Sequence, residues 1–200
     1  NLGVLSAIAD RNSTVFSDKL NHASLNSGAQ LSGAVFRRYR HLDAAHLEDF
    51  LEKDSSSRKI VISDTVFSMD GDIADTEKLK KIAALHSALL YLDDAHATGV
   101  FGERGEGLAS GAGEMLVSMG TFSKALGSYG AYIACTGDMR EYLINKCSTF
   151  IFSTALPPAT YGAIDAAVDL VQTQEYCEIR RNLLARAANL AKEIRRLGFD

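Results

Sequence analysis

Short apolar runs of strand length alternate along the chain with stretches of helical period, the pattern of βαβ units feeding a mainly parallel sheet. Thr14-Val15-Phe16-Ser17, Ala34 to Arg40, Lys59 to Asp64, Ala88 to Asp93, Met115 to Thr121 and Gly130 to Cys135 read as strands, with Phe150-Ile151-Phe152-Ser153 as a further candidate. Lys59-Ile60-Val61-Ile62-Ser63-Asp64 is β-branched and nearly unbroken in its apolar character, as a strand buried on both faces requires. Between the strands, His22 to Leu31 predicts a helix. Asp43 is placed to cap a helix with Leu47, Phe50 and Leu51 on one face, and Asp75 to cap another with Leu79, Ile82 and Ala83 inward. Pro157-Pro158 suits a helix start, since proline gives up a donor that the first turn leaves unpaired, and this helix runs to about Gln172. From Glu175 to Leu197 a charged helix carries Ile179, Leu183, Leu184, Leu190 and Ile194 as one stripe.

Two hundred residues suffice for one α/β domain and part of another. Residues 1–172 form the first domain in this reading, and 173–200 a helix that leaves it. The chain begins on Asn1 and stops where a helix runs toward a next strand, so both ends read as interior to a longer protein. Lysine and arginine number 21 against 25 acids, a formal charge of −4, which gives no basic surface for nucleic acid or anionic lipid. The apolar runs are too short to span a bilayer. Cys135, Cys147 and Cys177 form no C-x-x-C pair and no signal peptide precedes them, which fits reduced thiols in a cytoplasmic protein.

The polar residues at the carboxyl ends of the strands carry the chemical signal, because that edge of an open α/β sheet is where ligands bind. Asp64 ends one strand, Asp93 and Asp94 another, and Thr121, Ser123 and Lys124 follow a third. Lys124 lies among small and apolar residues in Gly120-Thr121-Phe122-Ser123-Lys124-Ala125-Leu126-Gly127, where desolvation would lower its pKa and free the amine for imine chemistry; a surface lysine after a strand is the plainer reading. Thr121-x-x-Lys124 also imitates the S-x-x-K of penicillin-recognising enzymes, without that family's partner motifs. A carboxylate at a strand end, such as Asp93, can hold a proton on a pyridine nitrogen, the feature that makes pyridoxal phosphate an electron sink. Asp93-Asp94-x-His96 serves a metal equally well on its own, whereas Asp70-x-Asp72 lacks the remaining ligands of a calcium loop. Gly102-x-x-Gly105-x-Gly107 has the wrong order for a dinucleotide fingerprint and reads as a loop. His22 alone fits a capping residue, and Arg37-Arg38-x-Arg40 a solvated or ion-paired face.

Taken together, five motifs resemble the α-oxoamine synthases, fold-type I pyridoxal phosphate enzymes that condense an amino acid with an acyl-CoA and release carbon dioxide. They are Asn21-His22-Ala23-Ser24, Val66 to Asp72, Asp93 to Gly99, Gly120 to Gly127 and Phe152 to Pro158, in the family's order and approximate spacing. The resemblance implies a three-layer αβα large domain with a mainly parallel mixed sheet, and an active site built in a homodimer. It implies Lys124 as the lysine that bonds the cofactor and then removes the amino acid's α-proton. Asp93 would pair with the pyridine nitrogen and His22, a second catalytic candidate, would stack on the ring. Ser68 and His96 would bond near the ring oxygen, and Thr121 with Ser123 would contact the phosphate. It further implies a glycine-bearing phosphate loop just before Asn1, a C-terminal small domain with a substrate-binding arginine, and an amino acid and an acyl-CoA or acyl carrier protein as substrates. A non-catalytic subunit of the same fold is the competing reading, against which Lys124, Asp93, His22 and His96 stand together.

Overall fold

The structure, a computed structural model, describes residues 1–109 and 115–199. Its strands are β1 (Ser13–Asp18), β2 (Val35–Tyr39), β3 (Arg58–Asp64), β4 (Leu89–Asp93), β5 (Leu116–Thr121) and β6 (Ala131–Ala134). The helices are α1 (Leu2–Ile8), α2 (Ala23–Leu31), α3 (Ala44–Lys53), α4 (Thr76–Leu85), α5 (Gly137–Lys146), α6 (Ser148–Ile151), α7 (Pro158–Val171) and α8 (Gln174–Arg196). The strands form one sheet in the order β2-β1-β3-β4-β5-β6, parallel throughout except for antiparallel β6.

Both faces of the sheet are covered, which explains why β3 and β4 lack a polar face. On one side Leu5 of α1, Leu25 and Ala29 of α2 and Leu143 of α5 pack on Val15, Ile60, Ile62, Tyr91 and Val117. On the other, Leu47 and Leu51 of α3 and Leu79, Ile82 and Ala83 of α4 pack on Phe16, Val61, Leu90 and Leu92. Each fully buried leucine or isoleucine in these layers contributes roughly 2 kcal/mol of transfer free energy. The chain enters the helices through side-chain caps: Asp43 accepts from the His46 N–H at 2.9 Å, Asp75 from the Lys78 N–H at 2.9 Å, and His22 Nδ1 from the Ser24 N–H at 3.2 Å. From β1 the chain moves outward to β2, then returns to add β3, β4 and β5 on the other side of β1. The reversal lies between β1 and β3, and the carboxyl ends of these strands open a crevice there.

One expectation changes. Phe150-Ile151-Phe152-Ser153 is not a strand: Ser148–Ile151 is a helical turn, α6, in which the N–H groups of Phe150 and Ile151 donate to the Cys147 carbonyl at 3.0 Å. The segment reaches no sheet edge, so it satisfies its backbone locally, and Phe150 and Phe152 stay exposed. The apolar stripe of α8 also remains open, with Ile179, Leu183, Leu184, Leu190 and Ile194 all exposed. The residue of α8 that is buried is Arg180, which donates to the carbonyls of Val171 and Glu103. Asp200 falls outside the described residues.

Candidate active site

The carboxyl ends of β1, β3, β4 and β5 bring their polar residues to one place. The β3–β4 register sets Asp64 directly beside Asp93. Both are buried, at 5% and 3% exposure. Asp93 Oδ1 accepts the Ala95 N–H at 3.0 Å and Oδ2 accepts Asn1 Nδ2 at 2.7 Å. Burial raises the Asp64 carboxyl to about 7, and the neighbouring Asp93 pushes the same way. Lys124 acts on Asp64 in the opposite sense, so the ammonium faces both carboxylates.

Lys124 is carried on a turn between β5 and β6. Thr121 organises that turn: its hydroxyl donates to the Gly130 carbonyl at 2.8 Å, accepts the Ser123 N–H at 3.2 Å and lies 2.8 Å from Ser123 Oγ. The Ser128 N–H closes the loop on the Phe122 carbonyl at 2.8 Å, with Gly127 at φ 61° and Gly130 at φ 105°, a region that favours glycine. The lysine side chain is open to solvent on one flank, yet the protein around it desolvates the ammonium and lowers its pKa; Asp93 and Asp64 oppose that shift. Gly99 is the contact point with the neighbouring loop, where a Cβ would come to 3.0 Å from Ala125 Cβ.

Two imidazoles flank the carboxylates. His96, three residues after β4, is half-buried, and burial followed by Lys124 lowers its pKa, so the ring is neutral near pH 7. His22 heads α2; its backbone N–H donates to Asp64 Oδ2 at 2.6 Å while its exposed ring lies 2.7 Å from Ser24 Oγ. Ser24 Oγ in turn accepts Asn1 Nδ2 at 2.7 Å, and Asn1 Oδ1 accepts the Tyr91 hydroxyl at 2.9 Å. Asn1 thus joins Asp93 on one strand end to the His22 ring on the next.

Of the residues named from sequence, Lys124, Asp93, His96 and His22 share one electrostatic neighbourhood. Thr121 and Ser123 are bonded to each other on the lysine turn. Ser68 is exposed on the turn after β3. Asp94, adjacent to Asp93 in sequence, faces elsewhere: it accepts Thr65 Oγ1 at 2.6 Å and the Leu108 N–H at 3.1 Å, so it holds the glycine loop 102–107. Asn1, Ser24 and Tyr91 were not assigned from sequence, because a lone asparagine at a helix start carries no signal of a carboxylate 92 positions away. Arg37, Arg38 and Arg40 are ion-paired or bonded as expected, to Asp54, the Lys19 carbonyl and Asp43. Among the described residues no cluster of histidine, cysteine, aspartate or glutamate suits a metal, and no helix is long and apolar enough to cross a membrane.

The donor set fits pyridoxal phosphate group by group: a buried carboxylate for the ring nitrogen, a desolvated amine for the aldehyde, two imidazoles for the ring face and its hydroxyl, and a hydroxyl pair for phosphate. The fold and this edge define a class, and the chain belongs to the aminotransferase class I and II family, whose model matches residues 1–200. Within that class it is similar to the 8-amino-7-oxononanoate synthase of Citrifermentans bemidjiense, 45% identical over 208 residues that cover 100% of this chain and 52% of the relative. The enzyme of the same name from Trichlorobacter lovleyi is also 45% identical, with 100% and 52% coverage. Among solved structures, the serine palmitoyltransferase of S. paucimobilis with bound PLP superposes with a TM-score of 0.91 at 29% identity, covering 100% of this chain and 52% of that one. The 8-amino-7-oxononanoate synthase of Francisella tularensis gives 0.74 at 29% identity, over 86% of this chain and 51% of that one. The resemblance to the α-oxoamine synthases and the fold-type I architecture are therefore borne out, and the cofactor implied by sequence is the one bound in the solved serine palmitoyltransferases. The chain spans about half the length of the relatives it matches.

Proposed function

We propose that the protein is a pyridoxal phosphate-dependent acyltransferase that condenses L-alanine with pimeloyl-CoA, or its acyl carrier protein equivalent, to give 8-amino-7-oxononanoate, CoA and CO2 in biotin biosynthesis. The observation that carries the chemistry is the convergence of a desolvated Lys124 with Asp93, His96 and His22 at adjoining strand ends. The choice of substrates is supported by the names of relatives that match the whole chain at 45% identity. Residues 1–172 are then the cofactor-binding large domain and α8 the helix that leads to a small domain. The working unit is a homodimer in the cytoplasm.

When bound, the cofactor supplies an aldehyde that bonds an amine and a ring that draws electrons once its nitrogen is protonated. Asp93 holds that proton at the ring nitrogen. Its carboxylate is already oriented by the Ala95 N–H and by Asn1, so little ordering remains to be done on binding. The His22 ring covers one face and keeps water from it, held in place by Ser24. Neutral His96, with Ser68, holds the ring oxygen by a hydrogen bond, and the Thr121 and Ser123 hydroxyls take the phosphate. Lys124 would hold the cofactor through its amine and would serve as the base for the proton on the amino acid's α-carbon; desolvation favours the free amine that both duties need.

The test compares CoA release for alanine with pimeloyl-CoA, glycine with acetyl-CoA, and serine with palmitoyl-CoA. Preference for the first pair is expected. Preference for the glycine pair would make the protein a glycine C-acetyltransferase, and preference for the serine pair would align it with its structural relatives. No release with any pair would favour a non-catalytic subunit of the same fold.

A further inference from the structure

Asp64 is a buried strand-end carboxyl that the reading above leaves without a duty. Its place in the fold gives it two neighbours of consequence. The β3–β4 register puts it beside Asp93, and its Oδ2 accepts the His22 N–H at 2.6 Å at the entrance of α2. Its own backbone is locked: the Asp64 N–H donates to Asn21 Oδ1 at 2.9 Å, and Asn21 Nδ2 donates to the Ile62 carbonyl at 2.9 Å and to Ser17 Oγ at 2.9 Å. Turning the carboxyl out of the crevice would break its bond to the His22 N–H at the start of α2.

We propose that Asp64 is a positioning residue of the lysine pocket: it pins the start of α2, and with it His22, and shares with Asp93 the negative field that offsets part of the desolvation of the Lys124 ammonium. Burying two carboxylates side by side is unfavourable unless a cation or a proton balances them. The charged and titratable groups facing Asp64 include Asp93 from β4, Asp18 from β1, Tyr39 from β2 and Lys124 from the turn after β5, and Lys124 is the cation among them. Its affinity for protons, raised to about 7, suits a group that takes up a proton when the lysine's charge is withdrawn.

The inference deepens the assignment of Lys124 as the site lysine, but its test needs neither cofactor nor turnover, so it can fail independently of the acyltransferase reading. The full chain without cofactor is acylated competitively across a pH series, and the Lys124 peptide is followed by mass spectrometry. The Lys124 midpoint should lie below that of the other lysines. Asp64→Asn keeps an oxygen for the His22 N–H but removes the charge, so the midpoint should fall by a further half pH unit or more, on the order expected for one partly screened charge. Asp64→Glu should restore most of it. A midpoint that ignores Asp64→Asn while responding to Asp93→Asn would overturn the proposal. A second measurement covers the case of an unstable variant: the Asp64 carboxyl carbon resonance of the unmutated chain should titrate near neutrality and move upward in Lys124→Ala. Titration in the ordinary carboxylate range, or indifference to Lys124→Ala, would equally contradict the proposal.

Discussion

Two carboxyl groups paired side by side on adjacent strands illustrate how strongly the surroundings of a residue decide its behaviour. Asp93 has both oxygens engaged by N–H donors, one from the Ala95 backbone and one from Asn1. Asp64 has a single backbone donor, from His22, and is pushed up to about 7. Because the native state holds the Asp64 proton up to about pH 7 whereas an unfolded aspartate releases it near pH 4, the native state binds more protons across that window. Stability should therefore fall as pH rises from about 4 to about 7, by up to a few kcal/mol for this group. Denaturant midpoints of the chain should show that slope, and Asp64→Asn should flatten it; an unchanged slope would show that Asp64 is not the source. His41 adds to the slope. Its ring lies 2.8 Å from Asp18 Oδ1 and 3.1 Å from Asp72 Oδ2, and these partners raise its pKa against the effect of burial. Its contribution is complete below the ordinary histidine value and is lost as pH rises through the raised one.

At the scale of elements, sequence pattern located β1 to β6, α2, α3, α4, α7 and α8 to within one or two residues, because their periodicities and caps are local properties. Asp43, Asp75 and Pro158 start their helices as their chemistry dictates. Where the pattern misled, at Phe150 to Ser153, three apolar residues looked like a strand but pair with none of the six strands; pairing is a non-local fact that periodicity does not carry. The helices α1 and α5 show no helical stripe in the sequence: α1 is a seven-residue, nearly all-apolar run, and α5 buries Leu143 alone. The glycine loop 102–107 was legible as a loop, but its tie to the site was not. Gly107, at φ 94°, packs so closely on Asp94 that a Cβ would run into the carboxylate. Gly107→Ala should cost about 2 kcal/mol or more, combining strain with the loss of the Asp94 bonds to Leu108 and Thr65. A thermal melt reads this directly, and a melt within error of the unmutated chain would refute the packing argument. Tyr91→Phe removes the hydroxyl that holds Asn1 Oδ1 and should cost on the order of 1 kcal/mol.

For the molecule as a whole, the site was legible to the extent that strand ends were legible. Lys124, Asp93, His96 and His22 each follow a strand that the sequence marks, and the topology carries them to one crevice. Asn1, Ser24 and Tyr91 joined them only through tertiary contacts. Exposed aromatic and apolar side chains cluster on α6 and α7, among them Phe150, Phe152 and Tyr161, and the stripe of α8 is open. Apolar surface of this extent favours burial against protein. A homodimer of the full protein should appear in equilibrium sedimentation, and a monomer at micromolar concentration would contradict that part of the reading. The central claim is that Lys124 is the residue that bonds the cofactor, and it is tested most directly by mapping the bond. The protein is incubated with pyridoxal phosphate, the linkage is reduced with borohydride, and the peptides are sequenced by mass spectrometry. The phosphopyridoxyl mass should fall on Lys124 and vanish in Lys124→Ala; a label on another lysine, or none at all, would contradict the account.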